Sequence, residues 1–225
     1  VAPVYLGIGA KQTSKALTEA KDVEVNVFDG PCPAGNVGVQ VNNIAPVNKG
    51  EVVWTVDPTA VIFFGRLFRT GKVDLRRLVA VAGSEITKPE YAEVLVGQPI
   101  ADLLEGRLAA KDHLRIINGN PLTGRKATKD DFVGGHTSEI TVIPEGDNVD
   151  EMLGWILPRT NDFSVSRSYF SWLFGKNKEY ALDARVKGGE RHMIMSGEYD
   201  KVLPMDIYAE YLIKAIIAGD IDRME

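Results

Sequence analysis

The chain has 225 residues, of which 44% are hydrophobic and 25% charged, close to the composition of globular proteins and sufficient for one large or two small domains. Its 26 basic and 31 acidic side chains give a net charge of -5, which provides no broad attraction for a polyanion and argues against nucleic acid as a partner. A single cysteine, Cys32, excludes an internal disulfide and an all-cysteine metal or iron-sulfur site, and a reducing compartment fits best.

The chain opens on Val4 to Ile8, a short apolar run punctuated by Gly7 and Gly9. A helix-forming stretch from Lys11 to Ala20 and a β-rich run from Val23 to Phe28 follow. Strand, helix, strand with short connections predicts a βαβ unit, with parallel strands and a right-handed crossover. Gly7 and Gly9 stand where a Rossmann phosphate loop belongs, but the third glycine is replaced by Gln12. Asp29 supplies the carboxylate about 20 residues on. With the fingerprint incomplete, turn glycines are the better reading.

Gly30 to Gly38 is rich in proline and glycine and reads as turns or loops. Within it Cys32 lies between two prolines, and its reading is that of a small buried apolar residue, since no base or positive field is placed beside it. Glu51 to Val56 reads as another strand. Asp57 followed by Pro58 marks the start of a helix running to about Arg69, with Val61, Phe64, Leu67 and Phe68 as an apolar stripe expected to pack on the sheet and Gly71 as the stop. Arg66, Arg69, Lys72, Arg76 and Arg77 form a local basic cluster, a solvated face or a surface for anionic headgroups.

From Arg76 short β-rich runs take over: Leu78 to Ala82, Ala92 to Val96, Leu114 to Ile117 and Ile140 to Ile143. A short helix is expected near Pro99 to Leu104, and a domain junction near Asp74. Gly134, Gly135 and His136 read as a turn between strands, with donors an anion could use. His113, His136 and His192 have no metal-ligand spacing.

Beyond Glu145 the pattern is mostly helical: Met152 to Leu157, Ser166 to Phe174 and Met205 to Ala218, the last with Ile207, Tyr208, Tyr211, Leu212, Ala215 and Ile216 on a broad apolar face. Around Phe170, Trp172 and Phe174 two readings stand, a helix buried on all sides or an interface anchored by Trp172. No apolar run approaches the roughly 20 residues of a membrane-spanning helix. The chain opens as if a strand were already under way and ends just after a helical pattern, so it is expected to be a central to C-terminal piece of a longer polypeptide.

Several blocks in order give a more specific signal. CPAGNVG from Cys32, APVNKGEVVW, FGRLFRTGKVDLRRLVAVAGSEITKPE, INGNPLTGR, LGWILPRTNDFSVSR and VLPMDI together resemble the A subunit of the bacterial sodium-translocating NADH:quinone oxidoreductase, over almost the whole chain. The resemblance implies an α/β plus α+β fold: part of a Rossmann-like domain over residues 1–74, a ubiquitin-like β-grasp module over 75–146 and a mostly helical segment over 147–225. It further implies a peripheral subunit on the cytoplasmic face of the bacterial inner membrane, bound to the membrane subunits of a complex that couples NADH oxidation and ubiquinone reduction to sodium export. In that reading the chain offers a docking or quinone-access part, with no catalytic, cofactor-binding or metal residue of its own. Flavins and iron belong to partner subunits, and the isolated piece is inactive. Quinone-site residues are not assigned, and Trp172, Phe170, Arg66 and Arg69 are the candidate interface residues. The competing reading is a free-standing Rossmann enzyme that binds NADH or flavin through Gly7, Gly9 and Asp29.

Overall fold

A computed structural model describes residues 2–30, 33–149, 153, 156–164, 167, 169–174, 178–180, 182–185, 197, 199–201, 203 and 205–224. The fold is mixed α/β and divides into two compact units, Val1–Val56 with Arg191–Glu225, and Asp57–Glu190.

The first unit carries β1 (Tyr5–Gly9), α1 (Lys15–Thr18), β2 (Glu24–Phe28), α2 (Val37–Ile44) and α5 (Ala209–Ala218). β1 and β2 pair in parallel, Gly7 opposite Asn26, in a two-stranded sheet, as the strand, helix, strand pattern predicts. The intervening helix is one turn long rather than ten residues. Gln12 explains part of this: its amide closes a turn onto the Gly9 carbonyl at 2.9 Å and its side chain accepts from the Ser14 amide at 2.8 Å, so the chain enters α1 only at Lys15. α2 occupies a stretch whose first residues read as loop; its β-branched Val37, Val39 and Val41 conceal the helix, and Val39 buries its face. The strand expected over Glu51 to Val56 does not form. Among the described residues no neighbouring strand offers it a ladder, and it is largely solvent-exposed, Trp54 at 90%. α5 buries Ala209, Glu210 and Ala215 and ends on Gly219 in the left-handed conformation that glycine adopts without strain. The Glu210 carboxylate accepts from the Gly197 amide at 2.9 Å, which satisfies one oxygen of a buried acid. Tyr208, Tyr211 and Ile216 of the expected apolar face remain exposed.

The second unit opens with α3 (Pro58–Thr70), whose ends follow the sequence signals. Asp57 accepts from the Ala60 amide at 2.8 Å, Pro58 takes the first turn, and Gly71 at φ 69° terminates the helix. The rest is built on β3 (Arg76–Ala82), β4 (Glu90–Leu95), α4 (Ile100–Leu104), β5 (Leu114–Asn118), β6 (Arg125–Ala127) and β7 (Glu139–Pro144). The sheet order is β4-β3-β7-β5-β6, with β3 and β7 parallel and the other pairs antiparallel. β3 and β4 alternate buried and exposed residues, so each has one core face, whereas central β7 buries Ile140, Thr141, Val142 and Ile143 in succession. Ile100, Leu103 and Leu104 of α4 close the core against Val79, Val81, Val94, Ile140 and Val142. Burying each of these three side chains stabilises by about 1.5–3 kcal/mol. The four strands and the short helix expected from the sequence all form within two residues of their places; only three-residue β6 was not anticipated.

Beyond β7 the second unit holds, among the described residues, one 3-10 turn, Phe170–Phe174, instead of the helix expected from Ser166. Ser166 itself, Met152 and several of their neighbours lie outside the described residues, while Leu153 and Ile156 fall in turns.

Candidate functional site

The aromatic 3-10 turn is shaped by a few backbone ties and by cations laid over rings. The Phe170 amide donates to the Pro158 carbonyl at 3.1 Å, and Ser171 is buried. At three residues per turn, Phe170 and Leu173 eclipse each other on one edge, and both face solvent. Phe170 is 54% exposed and Trp172 49%, so the turn is not a helix buried on all sides. The Arg167 guanidinium stands 6.0 Å from the Trp172 ring centre, and the Lys178 ammonium 5.3 Å from Phe174 and 5.8 Å from Tyr180. Lys178 is held there by the Thr160 carbonyl at 2.6 Å and the Asn161 carboxamide at 2.7 Å. Phe163 meets Tyr180 edge-on at 5.6 Å. The result is a shelf of rings and fixed positive charge, suited to contact with a surface that is apolar at its centre and polar at its rim.

The basic cluster is only partly available to an external anion. Arg76 forms a fork with Asp74 at 3.0 and 2.8 Å, reaches Glu93 at 3.8 Å, and its carbonyl accepts from Arg66 at 2.5 Å. Hydrogen bonds from the Arg76 guanidinium and from the Arg76 amide hold the Asp74 carboxyl well below the usual carboxylate range. Arg77 is buried on the core face of β3, donates to the Gly135 carbonyl, and leaves its Nε without a partner. Arg69 and Lys72 are exposed, and among the described residues no carboxylate pairs with either.

Gly7 and Gly9 both lie within β1, and a side chain at Gly9 would meet nothing within 4 Å. A side chain at Gly7 would lie 2.3 Å from the Gln40 Oε1, the end of a side chain that reaches over from α2. The turn at Gly134 is spent internally, since its amide donates to the Thr137 hydroxyl at 3.0 Å and its carbonyl accepts from the Thr137 amide at 3.2 Å. His136 approaches Asp57 at 3.1 Å and His113 approaches Asp147 at 2.8 Å. Hydrogen bonds from the Ala60 amide and from His136 hold the Asp57 carboxyl below its ordinary value. His192 and Cys32 lie outside the described residues. Among the described residues no three histidine, cysteine or acidic side chains gather as a metal site, and no helix is long and apolar enough to cross a membrane.

One feature escaped sequence reasoning. Ala60, Phe63, Phe64 and Leu67 of α3 face Val73 and Leu75 across an apolar hollow of about 240 Å³. The signal was the helix itself, which is apolar around most of its circumference, a pattern that demands cover on more than one side.

Two family models match the chain, the NqrA second alpha/beta domain over residues 2–73 and the NQRA C-terminal domain over residues 78–129. Among curated proteins, the chain is 36% identical over 207 residues to the A subunit of the Na(+)-translocating NADH-quinone reductase of Neisseria meningitidis serogroup C (strain FAM18), covering 92% of this chain and 46% of that protein. It is 35% identical over 216 residues to the protein of the same name from Vibrio atlanticus, covering 96% of this chain and 48% of the other. The Vibrio anguillarum protein of that name is 36% identical over 214 residues, 95% of this chain and 47% of its own length. The chain thus spans about half the length of the curated relatives it matches.

Proposed function

Because this chain belongs to the NqrA family, the A subunits of Na(+)-translocating NADH-quinone reductases, we propose that it acts as a peripheral part of such a complex. It docks on the membrane subunits at the cytoplasmic face of the bacterial inner membrane. It borders the path by which ubiquinone enters, and it holds no redox group, with flavins and iron carried by partner subunits. On this reading the isolated chain does not oxidise NADH. The observation that carries the docking role is the shelf at Phe170–Phe174, where Phe170 and Trp172 present rings to solvent beside the Arg167 guanidinium. Aromatic and arginine anchors of this kind supply most of the binding free energy in protein interfaces. Arg69 of α3 forms the second proposed contact, whereas Arg66, expected beside it from the sequence, is tied to the Arg76 carbonyl and to Asp74.

The fold terms of the proposal are a Rossmann-like part to residue 74, a β-grasp module over 75–146 and a third segment over 147–225. What supports the first is the parallel β1–β2 pair joined through α1. What supports the second is the five-stranded sheet whose first and last strands pair in parallel at its centre, with α4 closing the core. Against a dinucleotide here stands Gln12, which takes the place of the third glycine and whose amide closes a turn onto the Gly9 carbonyl.

Two measurements test the proposal. Bound flavin and iron are assayed in the purified chain, and stoichiometric amounts of either overturn it. Membrane subunits of the complex are then captured on the immobilised chain, where Trp172→Ala is expected to weaken capture about 30-fold, the scale of a 2 kcal/mol hot spot. Undiminished capture removes Trp172 from the interface.

A further inference from the structure

The face of α3 turned to solvent is apolar, although nothing among the described residues of its own unit covers it. Successive residues advance by 100° around the helix, so Val61, Phe64 and Phe68 form one strip, with Gly65 and Arg69 beside it. Phe68 is 87% exposed, and Val61, Ile62 and Phe64 are more than half exposed. The adjoining face, through Ala60, Phe63 and Leu67, borders the hollow against Val73 and Leu75, and Phe64 stands at the edge between the two. The helix therefore borders the hollow along one side and leaves the adjoining strip open to solvent.

Charge identifies the occupant. α3 contains no acidic residue, and its two cations lie toward its C-terminal end. Arg66 is consumed internally, by the Arg76 carbonyl at 2.5 Å and Asp74 at 3.8 Å, which also ties the helix end to the start of β3. The two nearby carboxylates, Asp74 and Glu93, are both taken up by Arg76. Arg69 and Lys72 are left facing outward next to Phe68, and Val73 beyond them is also exposed. Aromatic and aliphatic side chains with cations at their edge, on a helix lying along a surface, match a bilayer interface: rings enter the acyl boundary while the cations meet lipid phosphates. We infer that α3 seats on an anionic lipid bilayer through Val61, Phe64 and Phe68, with Arg69 and Lys72 on the headgroups. This deepens the peripheral placement proposed above and rests on it.

The test uses the full chain with vesicles that contain no protein, one set of neutral phosphatidylcholine and one with phosphatidylglycerol added, read by co-sedimentation at low and raised salt. Binding to the anionic vesicles is expected, weakened by salt as surface charges are screened. Arg69→Ala with Lys72→Ala should lower the affinity roughly 25-fold, about fivefold for each cation. Phe68→Ala should lower it further while far-UV circular dichroism stays unchanged, because that ring makes little contact with the fold. Absence of binding, equal binding to neutral vesicles, affinity indifferent to these substitutions, or pelleting without vesicles through self-association would each overturn the inference. Vesicle binding that persists when capture of the membrane subunits fails separates this inference from the docking reading, which alone would then fall.

Discussion

Gly83 provides the sharpest test of the sheet geometry. It follows β3 at φ 117°, and a Cβ built there would lie 2.0 Å from the Val142 carbonyl oxygen of β7, which also accepts from the Glu85 amide at 3.2 Å. Gly83→Ala therefore incurs two costs. The backbone conformation disfavours an L side chain by about 1–2 kcal/mol, and relieving the overlap requires displacing a central strand by roughly 1 Å, for about 1–3 kcal/mol more. A total of about 3 kcal/mol lowers Tm by about 6–12 °C in a domain of this size. Gly97→Ala is the matched control. It too has a positive φ, 91°, but its Cβ would meet nothing within 4 Å, so it should incur only the conformational cost. Urea unfolding followed by far-UV circular dichroism compares the two. If Gly83→Ala is no more destabilising than Gly97→Ala, the close passage of β7 across Gly83 is refuted.

Ile140→Ala, at a position with no exposed surface in β7, should destabilise the second unit by about 3–4 kcal/mol through lost burial and a residual cavity, read in the same urea titrations. Asp57→Ala removes the acceptor for the Ala60 amide and should cost about 1 kcal/mol, with slowed hydrogen exchange at Ala60 lost first. Glu145 accepts from Arg115 Nε and Nη2 at 2.5 Å each and from Lys126 at 3.4 Å, and these partners hold its carboxyl below its ordinary value. A carboxyl depressed in the folded state stabilises above its unfolded pKa and loses that contribution as pH falls through the folded one. Glu145→Gln should thus cost on the order of 1 kcal/mol at pH 7, and the gap from the parent should close as unfolding is measured from pH 5 downward. A gap independent of pH would show that the Arg115 fork contributes nothing.

What the sequence made legible followed local rules. Asp57, Pro58 and Gly71 bound α3 because capping is decided within a few residues, and alternating apolar residues in β3 and β4 encode a single buried face. Glu51 to Val56 failed because a strand needs a neighbour, and β propensity cannot say whether one is present. α2 failed in the opposite sense: its valines favour strands, yet Val39 finds cover as part of a helix. At the candidate site, the exposure of Trp172 was open between two readings, since an element apolar on every side has no direction in sequence. The division of the basic cluster was equally hidden. Arg66, Arg76 and Arg77 are engaged by Asp74, Glu93 and backbone carbonyls, while Arg69 and Lys72 are not, a distinction that depends on where the chain returns.

The central place of β7 sets the order in which the module can mature. Until Glu139–Pro144 emerges from synthesis, β3 with β4 and β5 with β6 are separate hairpins, each marginal alone, and α4 has no floor on which to rest its three aliphatic side chains. The last strand acts as a keystone, so a chain stopped between Ala127 and Glu139 holds two unjoined hairpins instead of a smaller stable domain.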